Sequence, residues 1–427
     1  MNKKLGHDAI YDARELGTPR MLLLGLQHLF AMFGATVLVP ILVSGYGLPL
    51  SIQTTLLFAG IGTLLFHVCT KMKVPAFLGS SFAFLGGFQA VANLDSGKFA
   101  AMTGEEKLPY ALGGVVVAGL LYLVLALLFK LVGAKKVMRF FPPIVTGPII
   151  ILIGLNLSGT AVTNASSCWW LALVAIAIII VANIWGKGMV KIIPVLISLI
   201  VSYIVAIIMG AVSFDGVGAA GWFGLPNFHL PKFNADAIVA GLAVAVAAMV
   251  EHIGDVMAIG ATCGKNYIAD PGLTRTLLGD GIGTSLAGLL GGPANTTYSE
   301  NTGVVALTRV FDPFVMRIAA VMAIILSLSP KFEAVINSIP AAVIGGISFV
   351  LYGMIAATGI RTIVENQVDY VNMRNVLITA IILVSGLGFN HQNIVIGDVH
   401  FGGLACAAVF GIILNAILPG KDYEFKE

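Results

Sequence analysis

Apolar runs separated by charged or glycine- and proline-rich breaks make up almost the whole chain. A helix that crosses a bilayer needs about 20 consecutive, mostly apolar residues. Twelve of the runs come close to that length, and two, the third and the tenth, are clearly shorter. The pattern predicts an all-α, polytopic membrane protein with fourteen transmembrane segments. They lie near 20–44, 51–70, 80–93, 110–132, 141–160, 168–186, 189–212, 236–260, 273–290, 297–310, 314–330, 340–360, 371–389 and 399–418.

The charged residues between the runs indicate the orientation of the chain. Loops on the cytosolic side of a membrane carry an excess of Lys and Arg. If the N-terminus is cytosolic and there are fourteen crossings, twenty of the 24 Lys and Arg residues fall on the cytosolic side, and the outer side holds only Lys98, Lys107, Lys232 and Lys331. We therefore expect both termini in the cytosol.

The two short segments lie seven apart in the series of fourteen. That spacing suggests two halves of seven segments, and an odd number per half inverts one half relative to the other. Pro75 to Phe82 aligns without gaps to Pro293 to Glu300, with a shared Pro-Ala at the start and a shared Ser one place before the end. The sequence predicts a seven-plus-seven inverted repeat.

A polar passage from Gly291 to Gly303 separates the ninth and tenth segments. Glycine, proline and a carboxylate at membrane depth are tolerated where they line a cavity. We interpret the passage as an extended stretch that leads into a half-helix, whose first-turn N–H groups point at a ligand. The alternative, an aqueous loop between two spans, fits the short flanking apolar runs less well.

The proposed repeat predicts an equivalent half-helix in the third segment, also preceded by a short extended stretch. Phe82 and Glu300 would then face each other across the midplane, each at the start of a half-helix. Two opposed helix N-termini each carry about half a positive charge, which suits carbonyl oxygens or an anion.

Composition supports membrane insertion and excludes several functions. Hydrophobic residues make up 58% of the 427 residues, charged residues 11%, and the mean hydropathy is +0.96, whereas soluble domains carry about 25% charge. The net charge of +3 is spread along the loops and gives no reason to expect nucleic-acid binding. Residues 1–20 are polar without an apolar core, as expected of a cytosolic tail and not of a signal peptide. The four cysteines are far apart and show no metal-site spacing.

Three acidic residues within predicted segments are the main candidates for chemistry. Glu251 and Asp255 are four residues apart, so they share a helix face, and Glu300 opens the tenth segment. A carboxyl group near other carboxylates and away from water takes up a proton more readily than it does in water. This property suits a proton-coupled carrier, although a structural interhelical hydrogen bond is the alternative for Glu251 and for Asp255.

Other residues carry weaker signals. His28 in the first segment is either a hydrogen-bonded structural histidine or a proton relay, and Phe82, Tyr298 and Tyr352 either stack on a planar ligand or simply pack. A zinc site at Glu251 and its neighbours is disfavoured, because adjacent residues point to different helix faces. No hydrolase, zinc-protease or P-loop motif is present in the sequence, so we do not expect an enzyme.

Carboxylate acceptors together with free backbone N–H donors suit a small planar molecule that carries both N–H and C=O groups on one ring. Uracil and the oxopurines have that alternation. The residues alone predict a small polar ligand and a link to protons.

The segment that begins at Glu300 resembles the signature of the nucleobase–ascorbate transporter family: an acidic or amide residue, Asn, any residue, Gly, four residues, Thr, then Arg, Lys or Gly. Here the matching residues are Glu300, Asn301, Gly303, Thr308 and Arg309. Similarity covers nearly the whole chain, and the Glu-Asn start with the Thr-Arg end favours the bacterial uracil permease branch.

The resemblance implies a core domain from segments one to four and eight to eleven (1–135 and 234–331) and a gate domain from segments five to seven and twelve to fourteen (136–233 and 332–427). It also implies a homodimer in the cytoplasmic membrane of a bacterium. Transport would then be proton-coupled uracil import by an elevator-like movement of the core, with the proton as coupling ion and no cofactor.

The resemblance also implies roles for individual residues. Glu251 and Glu300 would bind the ring N–H groups, and the backbone at Phe82 and Ser299 would meet the carbonyls. The pocket would be lined by Ala35, Tyr298 and Tyr352.

One departure concerns the proton pathway. Where uracil carriers of the family have a second His one turn after the Glu of the eighth segment, this chain has Asp255, so the candidates for proton coupling are Glu251, Asp255 and His28. A xanthine or other oxopurine permease of the same fold, and a passive channel, are the alternatives to a uracil symporter.

Overall fold

The computed structural model describes residues 9–95, 97–389, 394–396 and 399–420, and most of them are helical. The helices are α1 (Thr18–Gly45), α2 (Ile52–Cys69), α3 (Leu85–Ala92), α4 (Gly104–Val132), α5 (Ala134–Met138), α6 (Pro143–Ser166), α7 (Trp169–Ile184), α8 (Met189–Ile192), α9 (Pro194–Ile208), α10 (Asp215–Ala219), α11 (Ala235–Cys263), α12 (Leu273–Leu290), α13 (Ser299–Thr308), α14 (Pro313–Leu326), α15 (Pro330–Asn337), α16 (Ala341–Glu365), α17 (Met373–Gly388) and α18 (Gly403–Ile417). The strands are β1 (Leu78–Ser80), β2 (Asn295–Thr297), β3 (Ile394–Ile396) and β4 (Val399–Phe401). Only part of the N-terminal tail predicted over 1–20 lies within the described residues.

Six of the described helices are long and apolar enough to cross a bilayer by themselves: α1, α2, α4, α6, α11 and α16. Four further apolar helices, α7, α9, α17 and α18, have between 10 and 17 residues. Helices α14 and α15 together satisfy the same test but are bent by 86° at their junction. The protein is therefore a multi-pass, mostly helical membrane protein, while the count of fourteen crossings stays a prediction.

Three predicted segments differ in detail from single helices. The run 189–212 is broken before Pro194, which has no N–H to donate to a continuous helix, so α8 and α9 are separate. The run 80–93 contains the end of β1 and a turn before α3 begins. The run 399–418 begins with β4, which pairs with β3 as a hairpin that the hydrophobic pattern did not predict.

The two short segments each consist of a strand followed by a short helix. β1 precedes α3, and β2 runs directly into α13, so the extended stretch and half-helix predicted over 291–303 are confirmed. The same prediction was wrong for Phe82, which lies three residues before the first residue of α3. Its carbonyl accepts a hydrogen bond from Leu85 N in the intervening turn.

β1 and β2 form an antiparallel pair at the centre of the molecule. Gly79 is opposite Thr296, Ser81 N donates to Ala294 O at 2.9 Å, and Tyr298 N donates to Phe77 O at 3.0 Å. Since the pairing is antiparallel, a local two-fold axis through the pair at Gly79 relates the two strands.

That axis makes Leu78 equivalent to Asn295, each the first residue of its strand. A threonine from the preceding helix bonds both the N–H and the C=O of each: Thr63 for Leu78 and Thr284 for Asn295. The gapless sequence alignment made Phe82 equivalent to Glu300. At the strands, it is therefore wrong by one residue. In the structure, the equivalent of Phe82 is Ser299.

The helices pack in two sets. α1, α2, α4, α11, α12 and α14 contact one another around the strand pair, while α6, α7, α9, α16, α17 and α18 pack mainly among themselves. Close helix approach explains part of the glycine content. A Cβ at Gly359 of α16 would lie 2.5 Å from the carbonyl oxygen of Gly147 in α6, so neither position accepts a side chain without separating the helices.

Three of the four cations predicted on the outer side lie near the start of α4. Lys98 and Lys232 both face the ring of Tyr110, 4.2 and 5.7 Å from its centroid. Lys107 is bonded to carbonyls at the end of α3, and Lys331 N bonds Gly221 O in the loop that contacts the start of α2.

The opposite end of α2 lies among cations of the other group. Lys73 pairs with Asp270, and Arg275 Nη1 donates to Cys69 O. The segregation of the two groups at opposite ends of one helix is what a membrane between them requires.

We expect Gly79→Ala to destabilise the strand pair. A Cβ at position 79 would lie 2.5 Å from Tyr298 Cε2 and 2.7 Å from Thr36 Oγ1, and both neighbours are buried. Overpacking of this kind costs about 1–3 kcal/mol. The melting temperature of detergent-purified protein should fall, whereas Gly159→Ala, whose Cβ would meet no atom within 4 Å, should leave it unchanged or raise it. Equal melting temperatures for the two variants would contradict the packing argument.

Candidate functional site

The strand pair, the first turn of α13 and the middle of α11 meet at the centre of the molecule. α11 carries Glu251, His252 and Asp255 on two successive turns, and α13 begins at Ser299 immediately after β2. Here the predicted acids come together with the hydroxyl and amide groups of the polar passage.

Asp255 is held by two hydroxyl groups from the other side of the site. Thr297 Oγ1 donates to its Oδ2 at 2.9 Å, and Ser299 Oγ donates to its Oδ1 at 2.7 Å. Both oxygens of the carboxylate are thus accounted for by protein donors. Asp255 fixes the start of α13 to α11, which is a positioning role that the sequence did not predict.

Glu251 and Glu300 are the more open carboxylates of the cluster. The Glu251 side chain is exposed and that of Glu300 is half-buried, although both lie among charged groups inside the helix assembly. Glu251 interacts electrostatically with Asp255, Glu300 and also Asp280. The three acids predicted from the sequence therefore form one cluster, and the two glutamates are those with surface available to a ligand.

A fourth acid, Asp280 of α12, lies behind this cluster. Its Oδ2 is 3.1 Å from His252 Nδ1, and neither side chain has any exposed surface. Tyr122 of α4 is also fully buried and interacts electrostatically with Asp280 and Glu251. Asp280 lies in the predicted span 273–290 and was not among the candidate residues, although an acid within a predicted span is the same signal that identified Glu251.

The signature residues of α13 fasten this short helix to its neighbours. Asn301 Nδ2 donates to His28 O at 3.0 Å and lies 3.3 Å from His28 Nδ1, which joins α13 to α1. Thr308 Oγ1 donates to Val304 O within the helix. Arg309 follows the last residue of the helix in a left-handed conformation at φ 55°, and its carbonyl accepts from Ile10 N. Gly303 lies on the side that faces α8.

The aromatic side chains predicted to line the pocket are mostly covered by protein. Tyr298 is 4% exposed, and its hydroxyl donates to Ser80 O at 2.7 Å, so it holds the two strands together. Tyr352 is 2% exposed, with its hydroxyl 3.3 Å from that of Tyr46, and Ala35 is 4% exposed. Phe82 is half-buried. In this conformation a ligand would reach Phe82 more readily than the other three.

The first turns of α3 and α13 have N–H groups available for a ligand. No side chain of the described chain caps either helix, which is also true of α1, α6 and α16. Uncapped N–H groups need a partner such as water or a bound ligand, and the helix dipole favours an electron-rich one. The two half-helices thus offer donors beside the acceptors of Glu251 and Glu300.

Comparison with known proteins identifies the family. The family model described as "Permease family", whose short name denotes xanthine and uracil permeases, matches residues 19–394. The uracil permease of Bacillus subtilis is 42% identical over 418 residues, which cover 93% of this chain and 92% of that protein. The chain belongs to the nucleobase–ascorbate transporter family. The resemblance identified from the signature is thereby confirmed, and this family member is a transporter and not an enzyme.

Further relatives of this nucleobase–ascorbate transporter have similar coverage. The probable uracil permease of Haemophilus influenzae is 40% identical over 94% of this chain and 95% of its own length. The putative pyrimidine permease RutG of Escherichia coli is 39% identical over 93% of this chain and 89% of its own length.

Solved structures share the fold at low sequence identity. The transmembrane domain of the cyanobacterial bicarbonate transporter BicA matches with a TM-score of 0.62 at 17% identity, covering 95% of this chain and 98% of that one. The murine anion transporter Slc26a9 matches with a TM-score of 0.68 at 11% identity, covering 98% of this chain and 73% of that one. At this identity the likeness concerns the fold alone.

Proposed function

We propose that this protein is a proton-coupled symporter that imports uracil across the cytoplasmic membrane. The observation that carries the proposal is the pair of open carboxylates, Glu251 and Glu300, beside two uncapped helix N-termini in a chain closely related to proteins named uracil permeases. Uracil has two ring N–H donors and two carbonyl acceptors, and this site offers acceptors and donors side by side.

Each group of the site receives a role in this proposal. Glu251 and Glu300 accept hydrogen bonds from the ring N–H groups, and the backbone N–H groups at Ser299 and in the turn after Phe82 donate to the carbonyls. Tyr298, Tyr352 and Ala35 form the apolar wall. Asp255 holds Ser299 in place, so its contact with the ligand is indirect.

Transport in this proposal is an elevator-like movement of a core domain (1–135 and 234–331) against a gate domain (136–233 and 332–427). The two sets of packed helices support this division, because contacts within each set dominate over contacts between them. The matching strand-helix units around the local two-fold axis support fourteen segments arranged as two inverted sevens.

The proton is the coupling ion in this proposal, and Glu251, Asp255 and His28 are the candidates to carry it. Clustered carboxylates share protons readily, and Glu251 with the three acids around it provides such a cluster. Asp280 joins these candidates because it belongs to the same cluster. His28 is bonded to Asn301 and is better placed to fix α13 than to exchange protons.

The segregated cations support an orientation with both termini in the cytosol and with Lys98, Lys107, Lys232 and Lys331 outside. We also propose that the protein acts as a homodimer in a bacterial inner membrane. Many side chains of α7 and α9, including Ile184 and Ile208, are apolar and exposed in the single chain, so these helices face lipid or a second subunit.

Uptake of labelled uracil into cells or proteoliposomes tests the proposal. We expect accumulation against the concentration gradient that is lost when a protonophore collapses the proton gradient. Uptake that equilibrates and ignores the protonophore would instead identify a passive channel.

Competition decides between uracil and the alternative substrate class. Excess unlabelled uracil should suppress uptake, whereas xanthine at the same concentration should leave it nearly unchanged. If xanthine competes and uracil does not, the protein is an oxopurine permease of the same fold. The nucleobase that raises the melting temperature of the purified protein should be the one that competes.

A further inference from the structure

A cavity of about 410 Å³ lies far from the central site, where α6 and α17 begin and α16 and α18 end. Its lining includes two arginines, Arg139 and Arg374, and three asparagines, Asn366, Asn375 and Asn415. No acidic side chain is among its described lining residues. The cavity is large enough for a small ligand and is lined by groups that carry positive charge and donate hydrogen bonds.

Arg374 is held rigidly at this cavity without losing its charge. Its Nη2 donates to the carbonyl and the side-chain oxygen of Asn415, both at 2.9 Å, and its Nη1 donates to Asn375 Oδ1 at 3.3 Å. These acceptors are neutral oxygens, and one of the two Nη1 hydrogens remains available to a ligand. The guanidinium is therefore oriented in advance, while its positive charge is not neutralised by any carboxylate of the described chain.

Asn415 connects the two arginine positions. While its side-chain oxygen accepts from Arg374, its Nδ2 donates to the backbone carbonyl of Arg139 at 3.2 Å. Two acids of the described chain that lie close in sequence to the lining residues are engaged elsewhere: Glu365 pairs with Arg361 at 2.9 Å, and Asp369 Oδ1 accepts from Val371 N. Two arginines at one cavity, with no acid among the described lining residues, favour an anion.

We propose that this cavity binds a phosphate-bearing anion, either the headgroup of an anionic phospholipid or a soluble phosphate ester. Arginine forks match the oxygens of phosphate in a way that favours this group over a simple halide. Phe140 and Ile417, which are exposed and also line the cavity, provide an apolar rim on which an acyl chain can lie. Basic pockets between transmembrane helices are suited to anionic headgroups.

The test uses the full-length protein purified in an uncharged, phosphate-free detergent such as dodecyl maltoside. Inorganic phosphate and dioctanoyl phosphatidylglycerol are titrated separately, with melting temperature and native mass spectrometry as readouts. We expect at least one probe to bind, and Arg139→Gln and Arg374→Gln each to weaken it about tenfold, as expected for the loss of one charge-assisted hydrogen bond. Phosphatidylglycerol binding at least tenfold tighter than phosphate indicates a lipid headgroup, and comparable binding indicates a soluble ester.

Arg361→Gln is the matched control, because Arg361 is an exposed arginine of α16 that pairs with Glu365 outside the cavity. Binding of neither probe, or equal weakening by Arg361→Gln, would overturn the proposal. Arg374→Gln removes contacts that hold the end of α18, so Arg139→Gln, whose side chain is exposed, carries the test if the former does not fold. Uracil binding should be unchanged in all three variants, which separates this site from the central one.

Discussion

Glu300→Gln should reduce uracil affinity by about 100-fold or more. The change removes a charge-assisted hydrogen bond, which contributes up to about 3 kcal/mol. The new amide can also point its own N–H group at the N–H group of the uracil ring, where no hydrogen bond can form. Glu300 lies in the uncapped first turn of α13 and is half-buried within the acid cluster. Equilibrium binding of labelled uracil to purified protein measures the effect directly.

The change keeps the size of the side chain and removes one of several neighbouring negative charges, so the melting temperature without ligand should stay the same or rise. Glu365→Gln is the control, since Glu365 is an exposed acid paired with Arg361 at the end of α16. Affinity retained in Glu300→Gln would remove Glu300 from the binding site. Loss of affinity in both variants would point to a general effect of charge and not to the site.

Asp280→Asn should destabilise the protein by about 1–3 kcal/mol, the cost of leaving a buried polar group without its partner. The Asp280 carboxylate lies 3.1 Å from His252 Nδ1, and both side chains are fully buried between α11 and α12. Because His252 adjoins Glu251, we also expect a loss of uracil uptake. The melting temperature and the initial rate of uptake are the two measurements.

A double-mutant cycle assigns the effect to the pair. If Asp280 and His252 stabilise each other, Asp280→Asn combined with His252→Asn should cost clearly less than the sum of the single changes. Asp270→Asn serves as the control, since its pair with Lys73 is exposed and should contribute nothing measurable. If the cost of the double change equals the sum of the two single costs, the contact between Asp280 and His252 contributes nothing to stability.

Local sequence patterns were sufficient to locate the broken segments. The glycines, the proline and the carboxylate between Gly291 and Gly303 could not be accommodated in a continuous apolar helix, and the structure has β2 and α13 there. These features depend on residues close together in the chain, where backbone chemistry alone restricts the possibilities.

Contacts between distant segments could not be predicted in this way. The one-residue shift of the repeat at β1 depends on the hydrogen-bond register with β2, which the shared Pro-Ala obscured. The bonds from Thr297 and Ser299 to Asp255 depend on how α11 lies against the strands. The sequence identified Asp255 only as a candidate for proton coupling, whereas its bonds to Thr297 and Ser299 indicate that it also positions the start of α13.

The pairing of β1 with β2 also constrains biogenesis. Leu78 and Asn295, the first residues of the two strands, are 217 positions apart, so β1 leaves the ribosome long before its partner has been synthesised. Until then the edge of β1 has unpaired peptide groups at membrane depth, where lipid cannot replace them. The translocon, trapped water or transient contacts must shelter that edge, and the strand pair can close only once β2 has been synthesised.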